Sequence, residues 1–137
     1  MSGQYVVGNY MDEHSKTHGY VFDGQTYTTI EHLFSDGPQH TALDISDSRI
    51  VGYGDRLGYL YDGVTVTVLD VPGSVQTIPI GVSPSHVVGY YFVPFSSSHG
   101  FIFDGSKYTT ISVPSELGRA TVLHDISGNK AVGQYFN

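Results

Sequence analysis

Hydrophobic and polar positions alternate along this chain in short bursts, and three of the bursts share one plan. Gly19 to Ile30 reads GYVFDGQTYTTI, Gly58 to Leu69 reads GYLYDGVTVTVL, and Gly100 to Ile111 reads GFIFDGSKYTTI. In each, an aromatic and aliphatic run reaches Asp-Gly, and a Thr-rich run of β-formers follows. Asp-Gly between two such runs predicts a β-hairpin closed by a type I′ turn, which needs φ > 0 at both central residues.

A second element recurs between these hairpins. Tyr5-Val6-Val7-Gly8-Asn9-Tyr10 matches Ile50-Val51-Gly52-Tyr53, Val87-Val88-Gly89-Tyr90 and Ala131-Val132-Gly133-Gln134. A third precedes it: Thr41 to Ser46 before Asp47-Ser48, Thr77 to Ser83 before Pro84-Ser85, and Thr121 to Ser127 before Gly128-Asn129. One unit is therefore four strands, A (Thr41 to Ser46), B (Arg49 to Gly54), C (Leu57 to Tyr61) and D (Val64 to Leu69). The units span residues 4–40, 41–76 and 77–120, with closing strands in 121–137, all in a single repeat domain. A period near 40 residues with several strands per unit is the signature of a closed or stacked repeat fold.

Such a sheet cannot bury its faces alone, so successive units must stack. The expected fold is all-β, a β-propeller-like array of four-stranded antiparallel blades. It should have about three repeats per chain, about twelve or thirteen strands, and no helix beyond a turn or two. Three units are few for a propeller, which typically has about 4–8 blades. The chain would then pair into a six-bladed homodimer, form part of a larger propeller, or close as a threefold monomer of the β-trefoil or β-prism kind. Residues 1–30 supply only B, C and D, Ser2-Gly3-Gln4 aligns with Ser127-Gly128-Asn129, and residues 121–137 supply only A and B. This pattern favours a homodimer that shares terminal strands.

The repeats resemble the HAF repeat family of probable extracellular bacterial proteins. The residues that carry the likeness are Asp44-Ile45-Ser46, Ile50-Val51-Gly52-Tyr53, His18-Gly19-Tyr20 and His99-Gly100-Phe101. Gly stands where the family name has Ala, and Leu57 where the middle copy should have His. The resemblance implies a propeller-like repeat and an extracellular or periplasmic address, and it implies no established activity.

Composition narrows the function classes. The 137 residues carry a formal net charge of −7 with only six Lys and Arg, which disfavours nucleic acid and anionic membranes. No apolar run approaches a membrane span of about 18 residues. Met1-Ser2-Gly3 leads straight into a strand, so no signal peptide is expected in this stretch. With no Cys there is neither a disulfide framework nor a thiolate metal site. The 17 Gly, 11 Tyr and 7 Phe suit short strands and tight turns.

Chemistry-bearing motifs are sparse. No nucleophile elbow, P-loop, HExxH or EF-hand loop is present, so no catalytic residue, metal ligand or cofactor is assigned. His18 and His99 recur at the start of strand C and read as imidazoles hydrogen-bonded to a neighbouring loop. Asp44 and Asp125 recur on strand A and read as caps of the A–B turn, with cation binding as the alternative. Asp23, Asp62 and Asp104 belong to hairpin turns.

The variable B–C and D–A connections carry Tyr10, His14, His32, Phe34, His40, Tyr91, Phe92 and Phe95. Exposed rings beside polar groups suit stacking on sugars. The expected function is a non-catalytic binding or assembly module. Tyr10, Tyr91 and Phe95 would stack on a neutral glycan or small polar ligand, and His14 and His40 would hydrogen-bond to it. The alternatives are a purely structural, self-assembling scaffold and a propeller hydrolase or lyase.

Overall fold

The computed structural model describes residues 4–30, 40–114 and 117–137. Ser2, Gly3, His32 and Phe34 lie outside them. Among the described residues there are thirteen strands in four antiparallel sheets and no α-helix. Sheet 1 holds β1 (Val6–Met11), β2 (Thr17–Phe22) and β3 (Tyr27–Thr29). Sheet 2 holds β4 (Asp44–Ser46), β5 (Arg49–Gly54), β6 (Leu57–Tyr61) and β7 (Val66–Leu69). Sheet 3 holds β8 (Gln76–Val82), β9 (Val87–Phe92), β10 (Ser98–Phe103) and β11 (Tyr108–Ile111). Sheet 4 holds β12 (Ala120–Ser127) and β13 (Lys130–Phe136). No helix among these residues is long and apolar enough to cross a membrane.

Each sheet is a meander in chain order, so every pairing is between sequence neighbours. In sheet 2 the ladder runs back beyond β4: Leu43 N–H donates to Val51 O, Thr41 N–H to Tyr53 O, and His40 bridges to Gly54. Strand A thus reaches Thr41. The register of β8 on β9 shifts between Pro79 and Gly81, and that of β12 on β13 between Leu123 and Asp125. These bulges bend the first strands of sheets 3 and 4.

The sheets pack face to face in sequence order. Ile30, Ala42, Ile45, Ile50 and Tyr59 fill the space between sheets 1 and 2. Val51, Leu60, Leu69, Val87, Tyr91, Phe101 and Phe103 form the core between sheets 2 and 3. Val88, Leu123 and Ile126 form the smaller one between sheets 3 and 4. Strand C holds a glycine where the first strand of the next sheet crosses it. A Cβ on Gly58 would stand 2.6 Å from Pro79 Cδ. The first strands adjoin one another, β4 beside β8 and β8 beside β12.

Two local expectations need correction. The Asp-Gly hairpins form, but not with two-residue type I′ turns. Phe22 pairs with Tyr27, Tyr61 with Val66, and Phe103 with Tyr108, which leaves four-residue loops. Within these loops only the glycine takes positive φ, 99° at Gly24 and 100° at Gly63 and Gly105. The aspartate acts as an acceptor instead: Asp62 Oδ1 takes the N–H groups of Val64 and Thr65 at 2.9 and 2.7 Å. An Asx cap of this kind does not require a left-handed aspartate.

Asp44, for its part, does not cap its own A–B turn. Its Oδ2 accepts the N–H of Val82, 2.8 Å away on β8, an edge strand of sheet 3. A carboxylate from one first strand thus occupies an edge N–H of the next, which would otherwise invite strand pairing. Arg49 makes a second link between these sheets, donating from Nη1 to Ser83 O at 2.7 Å.

Candidate ligand-binding site

The five residues expected to form one binding face are distributed over three sheets. Tyr10 and His14 belong to sheet 1 and its B–C turn, His40 to the entry of sheet 2, and Tyr91 and Phe95 to sheet 3 and its B–C turn. Tyr10 is exposed and stacks on His18, with ring centroids 5.1 Å apart. His14 lies in an exposed turn closed by Asp12, whose Oδ1 accepts the N–H groups of His14 and Lys16. His40 packs edge-on against Tyr59 at 6.2 Å and lines a small cavity with Leu57. Tyr91 is a core residue rather than an open stacking ring: it is 8 % exposed, and its hydroxyl pairs with that of Thr110 at 2.9 Å. Phe95 is fully exposed at a turn tip with φ 59°.

The recurrent histidines hold neighbouring loops. His18 Nε2 lies 2.9 Å from Asp12 Oδ2, and His99 Nδ1 lies 3.0 Å from Ser112 Oγ. The hydrogen bond from His18, with the backbone N–H of Lys16, holds the Asp12 carboxyl below its ordinary value of 3.8. Among the described residues no group of three or more His, Asp or Glu could hold a metal ion.

A different cavity has the character of a ligand site. It is a cleft of about 330 Å³ between sheets 1 and 2, at the end of the sheets where the C–D and A–B loops lie. Val21, Ile30, Ile45 and Ile50 form its apolar floor. Asp23, Thr26, Thr28 and Thr29 line it from sheet 1, Asp47, Ser48 and Tyr61 from sheet 2, and Tyr5 stands at its edge. The volume lies near the lower end of the range for small-molecule sites, about 300–1,000 Å³.

The order of this wall follows from local chemistry. Asp23 Oδ1 accepts the N–H groups of Gln25 and Thr26 at 2.8 and 2.7 Å, which fixes the loop and lowers the carboxyl pKa. Ser48 donates to Asp62 O at 3.2 Å, and Tyr61 donates to Gly63 O at 2.8 Å. The two loops of sheet 2 are thus tied together. Tyr61 and the threonines line the cleft as hydrogen-bonding residues beside its apolar floor.

The sequence drew attention to the opposite, variable end of the sheets. The cleft was missed because its polar residues sit in turns that recur from unit to unit of the repeat. Its one legible signal was Tyr5, an aromatic where the equivalent positions hold Arg49 and His86. The chain matches no family model, no curated protein and no solved structure.

Proposed function

We propose that this chain is a non-catalytic binding module of propeller-like architecture that takes a neutral, polyhydroxylated small ligand, such as a sugar, in the cleft between sheets 1 and 2. The observation that carries the reading is the composition of that cleft, an apolar floor enclosed by tyrosines, threonines and aspartates. A sugar ring presents the matching surface, with C–H groups on one face and hydroxyls around the rim. Carboxylates accept sugar hydroxyls and repel anionic glycans, in line with the net charge of −7. The propeller-like arrangement is supported by meanders stacked face to face with their first strands adjoining. The likeness to HAF repeats supports the propeller-like arrangement only.

The test is titration of the chain with a panel of neutral mono- and oligosaccharides, followed by calorimetry. Tyr5→Ala should weaken binding by about 1 kcal/mol, a typical aromatic contact energy, and leave the melting temperature unchanged. Failure of every neutral sugar to bind, or binding indifferent to Tyr5→Ala, would sink the reading.

An assembly unit is the second reading. In sheet 1, β1 is an edge strand, and in sheet 4 so is β13, with no further strand beside either among the described residues. Such edges are templates for pairing with another chain, which favours a homodimer through terminal strands.

A further inference from the structure

The sheets of this chain are stacked with one polarity. Each presents an incoming face to the sheet before it and an outgoing face to the sheet after it. The outgoing face carries the valine that precedes the strand-B glycine. Val51 of sheet 2 and Val88 of sheet 3 are both 0 % exposed. The incoming face carries the rings of strand C and their partners. In sheet 2 Tyr59 is buried there, and in sheet 3 Phe101, Phe103 and Tyr91 are, with Tyr108 packed beside them.

The two end sheets break this rule in complementary ways. Val132 of sheet 4 stands where Val51 and Val88 stand, since it pairs with Asp125 as Val51 pairs with Asp44, yet it is 62 % exposed. Phe136, two residue pairs along on the same face of β13, is exposed as well. At the other end, the incoming face of sheet 1 is an aromatic layer open to solvent. Tyr10 stacks on His18, Tyr20 meets Tyr27 edge-on at 5.4 Å, and Phe22 stacks on Tyr27 at 4.4 Å. Tyr10 and Tyr27 are 44 % and 66 % exposed, although they correspond to Tyr91 and Tyr108, which pack in the core between sheets 2 and 3.

We infer that the occupant of each open face is a second copy of this chain, with the outgoing face of sheet 4 stacked on the incoming face of sheet 1. The contact repeats an interface that the molecule already makes three times within itself, outgoing aliphatic face on incoming face. Because the two faces differ, the contact is heterologous and closes only as a ring or grows as a filament. Two copies would bring eight sheets together, within the range of about 4–8 blades that close a propeller. This inference does not depend on the ligand cleft, which lies between sheets 1 and 2 of one chain. It also differs from strand exchange, because it uses sheet faces rather than sheet edges.

The test is sedimentation of the full chain at about 100 μM, well above the dissociation constant expected for a specific interface. The wild type should sediment as a dimer of the 14.9 kDa chain. Val132→Asp and Tyr27→Asp should each halve the mass, since each spoils one partner in both contacts of a closed pair. Mixing the two variants should restore a dimer, because one intact contact remains between them. Both side chains are exposed in the single chain, so both variants should keep the wild-type circular dichroism spectrum. The chain has no Cys, so Val132→Cys and Tyr27→Cys copies provide a second readout: mixed, they should cross-link with a short bis-maleimide. A monomeric wild type at that concentration would overturn the inference. So would a dimer that survives both aspartate substitutions, which would place the contact at the strand edges.

Discussion

The hydroxyl of Tyr59 donates to the carbonyl of Thr41, and the same phenol end lies over Gly52. This contact joins three consecutive strands of sheet 2. The glycine leaves room for the ring, the ring reaches across strand B, and its hydroxyl satisfies a carbonyl on strand A. Tyr59→Phe keeps the ring and orphans that carbonyl. It should destabilise the protein by about 1–2 kcal/mol in urea unfolding. Gly52→Ala should cost more than Tyr59→Phe, because its Cβ would stand 1.8 Å from Thr41 O.

Asp44 ties two sheets together rather than its own turn. Asp44→Ala removes the acceptor for Val82 N–H, and the loss should be about 1–2 kcal/mol of stability. A loss in the double variant Asp44→Ala with Arg49→Met equal to that of Asp44→Ala alone would show that the Arg49 link contributes nothing once Asp44 is gone. A loss equal to the sum of the two single losses would show that the links between sheets 2 and 3 act independently.

Phe95 holds φ 59° at a fully exposed turn tip. The left-handed region is costly for a bulky side chain and tolerated by Asn. Phe95→Asn should therefore raise stability by about 0.5–1 kcal/mol, read as an increase in melting temperature. A fall would mean that the ring makes a stabilising contact, and the turn strain would no longer account for the position.

Acid should loosen the C–D hairpins. Asp104 accepts the N–H groups of Lys107 and Ser106 and the Ser106 hydroxyl, and its pKa falls from 3.8 to about 2. A carboxyl whose folded pKa is depressed stabilises the fold fully above its unfolded value. That contribution is lost as pH falls from near 4 through about 2. Carbon NMR should place the Asp104 midpoint well below that of an unstructured aspartate. Asp104→Asn should flatten the dependence of hairpin stability on pH in that window.

Much of the architecture could be read before any coordinates. Alternation and turn residues located the strands because a meander pairs only sequence neighbours, and neighbours leave a local mark. The first strands and the strand-C glycines were visible as repeated letters, although the bulges in β8 and β12 were not. Turn details went astray at Asp23, Asp62 and Asp104. Loop length depends on which residues pair at its base, and the dipeptide alone does not specify that.

Tyr10 and Tyr91 show where local reading ends. Each follows a Val-Gly pair by two residues, each lies opposite a histidine on the neighbouring strand, and each was an equal candidate for stacking on a ligand. One is 44 % exposed and the other 8 %. The strand, the register and the side of the sheet on which each ring stands are properties of a few adjacent residues, and the chain alone specifies them. Whether another sheet lies over that side is decided by residues of a different repeat unit, such as Val51, Leu60 and Leu69 for Tyr91. Burial is a relation between distant segments, so two tyrosines with the same neighbours in sequence become a surface ring and a core ring.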